Sequence, residues 1–136
     1  MYMKKYKFNK FQLAWIKALK SGKYRKGYGG LCLITKQNHK NYCCLGVACD
    51  IFNKKISNSL VSNKEDGLIT FDSESFRLPT SLLNKLKLRD SSGKLLMSVK
   101  SNQHICSSLT ELNDMEKWSH KKIGEYIYNN PTNVFY

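Results

Sequence analysis

Acidic residues are missing from the first third of this chain. Residues 1–49 hold eleven Lys/Arg and no Asp or Glu, and the first acid is Asp50. The other twelve cations share residues 50–136 with all ten acids, so nearly all of the net charge of +13 lies at the front. Such an asymmetry points to an anionic partner. Long apolar runs are absent too. Nothing approaches the ~18 residues of a membrane span. The basic start is followed by no apolar stretch of the roughly 7–15 residues that a secretory signal needs. The expectation is therefore a cytoplasmic protein with no membrane partner. Proline occurs only at Pro79 and Pro131, which leaves no proline-rich linker, and no internal repeat or low-complexity segment is present. Residues 1–136 are expected to form a single domain, with 1–8 as a basic N-terminal arm or edge strand.

Signature motifs are also scarce. No Gly-Lys-Ser/Thr closes a Walker A loop, and no G-x-G-x-x-G opens a dinucleotide fold. No helix-turn-helix, zinc-finger or RNP pattern supports sequence-specific reading of nucleic acid. The cysteines Cys32, Cys43, Cys44, Cys49 and Cys106 are odd in number, which suits reduced thiols. Their spacing, Cys43-Cys44-x₄-Cys49, does not supply two zinc-ligand pairs. No metal and no cofactor are expected. Cys43 or Cys44 at a helix start could serve as a nucleophile with His39, His104 or His120 as base, but no known signature joins them. Small apolar residues in a core are the favoured reading, and an enzyme is the less favoured class.

What is present is periodic. Phe11, Ala14, Trp15, Ala18 and Leu19 mark an amphipathic helix, with Asn9 as N-cap and Gly22 just beyond its end. Lys10, Lys17 and Lys20 fall off the apolar stripe and should face water or an anion. Leu31–Thr35 and Asn41–Cys43 read as a hairpin about a polar turn at Asn38. Leu45, Ala48, Cys49 and Phe52 carry helical spacing. Gly67–Phe71 reads as a strand, and Pro79 opens a helix with Leu82, Leu83 and Leu86. Ser108 and Glu111 have capping-box spacing. Ser119 can cap a last helix facing inward with Ile123, Tyr126 and Ile127, stopped at Asn130-Pro131. The fold class expected is α+β, helix-dominated, with one or two short hairpins.

Several blocks along the chain resemble a family of small proteins encoded mainly in bacteriophage and prophage genomes. They are Trp15–Tyr24, the glycine-rich turn with Gly27, Gly29 and Leu31, and Tyr42-Cys43-Cys44-Leu45-Gly46-Val47 with Cys49-Asp50. Further blocks are Leu78-Pro79, Ser108–Asp114, Trp118 with Ile123, and Asn130-Pro131 with Val134-Phe135. Where the family turn carries an amide after Tyr24, this chain has Arg25-Lys26. The resemblance implies a phage protein working in the bacterial cytoplasm. By analogy it suggests counter-defence, for example a sponge that sequesters a nucleotide signal.

The turn Lys23-Tyr24-Arg25-Lys26-Gly27-Tyr28-Gly29-Gly30 combines cations, backbone N–H groups free to point inward, and aromatic planes. Those are the ingredients of a phosphate site with a stacked base. The expected ligand is a small phosphorylated molecule of the nucleotide class. Lys23, Arg25 and Lys26 would neutralise phosphate, and Tyr24 or Tyr28 would stack. Tyr42, Asn113 and Asp114 are added as contacts, the last two against a base or ribose. A homo-oligomer with the pocket at its interface would suit a sponge. One alternative is a nucleic-acid binder in which Tyr2, Tyr6, Phe8, Phe11 and Trp15 interleave with Lys4, Lys5, Lys7 and Lys10. Another is an inhibitor that docks on an acidic host surface.

Overall fold

A computed structural model describes residues 5–56, 60, 62–65 and 67–136. Helix α1 (Lys10–Lys20) starts where the sequence says it should. The Asn9 side chain accepts from the Gln12 N–H at 2.8 Å, and the Gln12 side chain accepts from the Asn9 N–H at 2.9 Å. This reciprocal cap satisfies two otherwise orphaned donors. The helix ends at Ser21, and Gly22 follows with φ +75°. The buried face is Gln12, Trp15, Ile16, Ala18 and Leu19. Phe11 and Ala14, expected on the apolar stripe with Trp15, lie on its half-buried flank.

The chain then builds a five-stranded sheet in the order β1-β3-β2-β5-β4. Its strands are β1 (Arg25–Lys26), β2 (Cys32–Ile34), β3 (Lys40–Tyr42), β4 (Ser62–Glu65) and β5 (Leu68–Phe71). The β2–β3 hairpin turns at Asn38, φ 63°. Strand β1 pairs in parallel with β3, Arg25 opposite Asn41 and Lys26 opposite Tyr42. Between β3 and β4 lies α2 (Cys44–Ile51), continued by a π-helical turn, Phe52–Ile56. Every residue of α2 is buried, which makes it the central helix. Gly46 allows its position: a Cβ there would lie 1.7 Å from the Leu31 carbonyl oxygen. Trp15 Nε1 donates to the Cys44 carbonyl at 2.9 Å and ties α1 to the start of α2.

Helix α3 (Thr80–Leu86) buries Leu82 and Leu86. A two-stranded ribbon follows, β6 (Lys94–Lys100) with β7 (Ile105–Ser108). Helix α4 (Leu109–Asp114) is capped by Ser108, whose hydroxyl accepts from the Glu111 N–H at 3.2 Å. Glu111 does not close a capping box. Its carboxylate accepts from the N–H and hydroxyl of Ser107, one residue earlier. Helix α5 (His120–Asn129), capped by Ser119, crosses α1 at Gly124, where a Cβ would come within 3.0 Å of the Lys20 and Leu19 side chains. Pro131 opens one further turn, α6 (Pro131–Val134).

The class is α+β. Helix makes up 40% and strand 23% of the chain, so it is mixed rather than helix-dominated. The shortfall lies in β1 and β4, whose segments are too polar to announce themselves as strands. No helix of the described residues is long and apolar enough to cross a membrane.

The N-terminal aromatics are not an open stacking row. Tyr6 and Phe8 pack on Phe135, Phe8 also stacks on Tyr128, Phe11 lies against Phe52, and Trp15 is 1% exposed. Tyr2 and Lys4 lie outside the described residues.

Candidate functional site

A cleft of about 640 Å³ opens between the C-terminal half of α1, the segment 23–25, the end of β3 and the π-helical turn. Ala14 and Ala18 leave room on the α1 side, where larger residues would fill it. Tyr24, Tyr42 and Ile51 supply the floor, and Lys17, Lys23, Arg25, Lys40 and Lys54 the rim. Among the described residues no carboxylate lines the cleft. Lys17 is the cation that helical spacing sets off the apolar stripe. Lys40 comes from the hairpin and Lys54 from beyond α2.

Asp50 lies just behind the floor, with its side chain 10% exposed. Its Oδ2 accepts from the Tyr24 hydroxyl at 2.5 Å and lies 3.3 Å from Lys54 Nζ. Its Oδ1 accepts from the Tyr42 hydroxyl at 3.5 Å. The two tyrosine rings meet edge to face at 5.1 Å. Burial, reinforced by the Asp50 carboxylate, pushes both phenols well above their ordinary pKa. They therefore stay protonated and remain donors to Asp50. Arg25 Nε donates to Asn41 Oδ1 at 3.3 Å.

The residues expected to act together separate into two groups. Lys23, Tyr24, Arg25 and Tyr42 share the cleft. Lys26, Tyr28, Asn113 and Asp114 do not line it, because a strand turns successive side chains to opposite faces and Lys26 follows Arg25 in β1. Lys26 Nζ donates to the carbonyls of Trp118 and Asn113 and sits over the Tyr28 ring at 4.7 Å. Burial holds its pKa below the usual lysine value. Asn113 is fully buried. Its Oδ1 accepts from the Cys44 N–H at 3.1 Å, and its Nδ2 donates to the Gly27 carbonyl at 3.0 Å and to Asp114 Oδ1 at 2.7 Å. Asp114 also accepts from the Gly29 N–H. Asn113 and Asp114 therefore join the glycine-rich turn to α2 and α4 rather than facing a ligand. Gly27 has no room for a side chain there, since a Cβ would lie 2.8 Å from the Asn41 carbonyl group.

Beside them lies His120, 6% exposed. Neither ring nitrogen has a hydrogen-bond partner of good geometry, although the Arg25 and Tyr42 carbonyls are near enough to favour its proton. Burial, together with the Lys26 charge, overrides them and pushes its pKa down to about 4. Glu116 has its side chain 7% exposed and pairs with His104 Nδ1 at 3.1 Å.

The cysteines are all buried and unbonded to one another. Cys43 caps α2, its sulfur accepting from the Gly46 N–H at 3.4 Å. Burial outweighs that favourable position and pushes its thiol up to about 11, and burial likewise raises Cys44 and Cys49 well above the ordinary thiol value. These are packed thiols, not poised nucleophiles. Among the described residues no three of His, Cys, Asp and Glu stand together as metal ligands would.

Sequence reasoning missed Ser21, Lys40, Asp50 and Lys54. Asp50 and Lys54 carry one local signal, their i,i+4 spacing. Lys40 carries none, because only the hairpin brings it to the rim.

Residues 8–131 match DUF8296, a domain family of unknown function, and the chain belongs to that family. No curated protein and no solved structure matches it.

Proposed function

We propose that this chain binds a small phosphorylated ligand of the nucleotide class in the cleft. The observation that carries the reading is the set of five cations around a concave floor of tyrosine and aliphatic side chains. The volume falls within the ~300–1,000 Å³ of small-molecule sites. Cations alone would suit any polyanion, whereas an apolar, aromatic floor beneath them suits an anion that carries a ring. Asp50 offsets the charge of Lys54, with which it pairs, and leaves the other four rim cations unmatched. The role is binding rather than catalysis. The resemblance to phage-encoded proteins supports a setting in the bacterial cytoplasm, where such a protein would hold a host nucleotide signal as a sponge.

Calorimetric titration with ADP and with inorganic pyrophosphate tests the reading. Lys23→Ala with Arg25→Ala should weaken both by at least a factor of ~100, since each charge-assisted contact is worth about 1.5–3 kcal/mol. Lys5→Ala with Lys7→Ala removes the same charge from the exposed N-terminal segment and should leave binding nearly intact. Equal losses in both variants, with affinity falling steeply in salt, would replace the pocket by diffuse phosphate contact. The nucleic-acid reading would then take its place.

A further inference from the structure

Among the described residues three hydroxyls line the cleft, those of Ser21, Tyr24 and Tyr42. Each has a single proton to give. All three protons are directed into the protein. Ser21 Oγ donates to the Ala18 carbonyl at 2.6 Å, Tyr24 Oη to Asp50 Oδ2 at 2.5 Å and Tyr42 Oη to Asp50 Oδ1 at 3.5 Å. Ser21 Oγ also accepts from the Lys23 N–H at 3.2 Å, so the lone pairs offered to a ligand are chiefly those of the two tyrosine hydroxyls. The Asp50 carboxylate behind them does not line the cleft and is engaged by Tyr24, Tyr42 and Lys54, so its part is to fix where the tyrosine protons point. The rim is the reverse, because ammonium and guanidinium groups only donate. The cleft is therefore divided by polarity, with donors at the mouth and acceptors at the floor.

A ligand must match both halves. Its anionic oxygens meet the rim. Its other end must bring hydrogen-bond donors, because a carbonyl oxygen or bare ring nitrogen there would face lone pairs in a partly dry site. A cationic head is disfavoured by the surrounding lysines, so the donor has to be neutral. We infer that the cleft selects nucleotides whose base carries an exocyclic amino group over those whose base lacks one, with Tyr24 as the specificity-determining residue and Asp50 as the positioning residue that holds its proton away from the ligand. The inference rests on the nucleotide reading above and narrows it.

Two matched pairs of ligands test it. ADP is compared with purine riboside 5′-diphosphate, and GDP with inosine 5′-diphosphate. Each pair differs by one amino group at constant charge. Inorganic pyrophosphate serves as the base-free control. The amino-bearing member should bind about tenfold or more tightly in at least one pair, the effect of leaving buried acceptors without their donor. Equal affinities within both pairs would overturn the selectivity and leave the cleft reading standing. No binding of any ligand, pyrophosphate included, would overturn the cleft reading itself. Asp50→Asn puts a donor behind the floor, frees the Tyr24 proton to turn towards a ligand and raises the net charge by one. It should bring the preference towards unity while pyrophosphate binds as well or better. A uniform loss for every ligand would show that Asp50 only supports the fold. Tyr24→Phe keeps the ring and removes one acceptor, so it reports on the same preference if Asp50→Asn does not fold.

Discussion

Arg25 and Lys26 are consecutive cations on one two-residue strand, and they do opposite things. Arg25 lies on the rim of the cleft, exposed, with a single long hydrogen bond to Asn41. Lys26 points the other way, into a polar seam where it reaches two backbone carbonyls and lies close to the buried His120 and Asn113. On the seam side nearly every polar group has a partner inside the protein. On the cleft side only Lys54 has a carboxylate, Asp50, and the other four cations stand together without one. The lesson is about charge: a count of lysines and arginines along a turn cannot separate those held by the fold from those free for a ligand. The pleat of β1 makes that separation.

The comparison is broken most directly at Asn113. Asn113→Ala removes all three of its side-chain hydrogen bonds and strands the buried Cys44 N–H and Gly27 carbonyl. Each stranded group costs about 1–3 kcal/mol, so the loss should be on the order of 2–5 kcal/mol in a chemical denaturation series. A midpoint close to that of the parent chain would show that the seam is not what holds the turn.

His120 sharpens the same side through pH. Its folded pKa, about 4, lies below the ordinary value of 6.5. The unfolded chain therefore binds the extra proton first. The stability this neutral histidine preserves is complete above pH 6.5 and is lost as pH falls from 6.5 towards 4, amounting to about 3 kcal/mol across the window. His120→Phe should flatten that part of the stability curve. An equally steep curve in the variant would assign the pH dependence to other groups.

Lys26 should show a smaller effect. Lys26→Met keeps much of the aliphatic stem and removes the ammonium that meets the carbonyls of Trp118 and Asn113. Because the group is only half buried, the cost should be about 1–2 kcal/mol. Pyrophosphate affinity should hardly change, since Lys26 is not at the cleft. A variant that keeps full stability but loses binding would place Lys26 in the ligand site after all and undo the separation.

Much of the fold was legible because its signals are local. The Asn9 cap, the stop at Gly22, the β2–β3 hairpin, the spacing through α2 and the Ser108 and Ser119 caps all depend on residues within a turn or two of each other. The misses depend on distant partners. Glu111 has the right spacing to reach back to Ser108, yet the N–H and hydroxyl of Ser107 hold its carboxylate. Strand β1 is two cationic residues whose partners in β3, Asn41 and Tyr42, lie sixteen positions on. Asn113 reads in the sequence as a contact to a base or ribose, because nothing nearby in sequence shows that Cys44 and Gly27 will meet it. Half of the candidate site was visible as a basic aromatic turn. The other half, Lys40, Asp50 and Lys54, is assembled only when the hairpin and α2 fold back beside α1.

The smallest expected effect is on stability at the cleft rim. Lys23→Ala with Arg25→Ala removes two exposed cations, and the one Arg25 side-chain hydrogen bond at stake is long and solvent-facing. Exposed polar contacts of this kind contribute little, and substitutions of this sort usually stay within about ±0.5 kcal/mol. Repulsion works in the opposite direction. Five cations share this rim in a chain of net charge +13, so deleting two relieves like-charge strain, most strongly at low ionic strength. The melting temperature should therefore hold or rise slightly in dilute buffer, with the gain fading as salt is added. Thermal melts of the parent and the double variant across a salt series read this directly. A clear drop in the melting temperature at every salt concentration would mean that the rim cations support the fold as Lys26 does. The contrast between the two faces of β1 would then disappear.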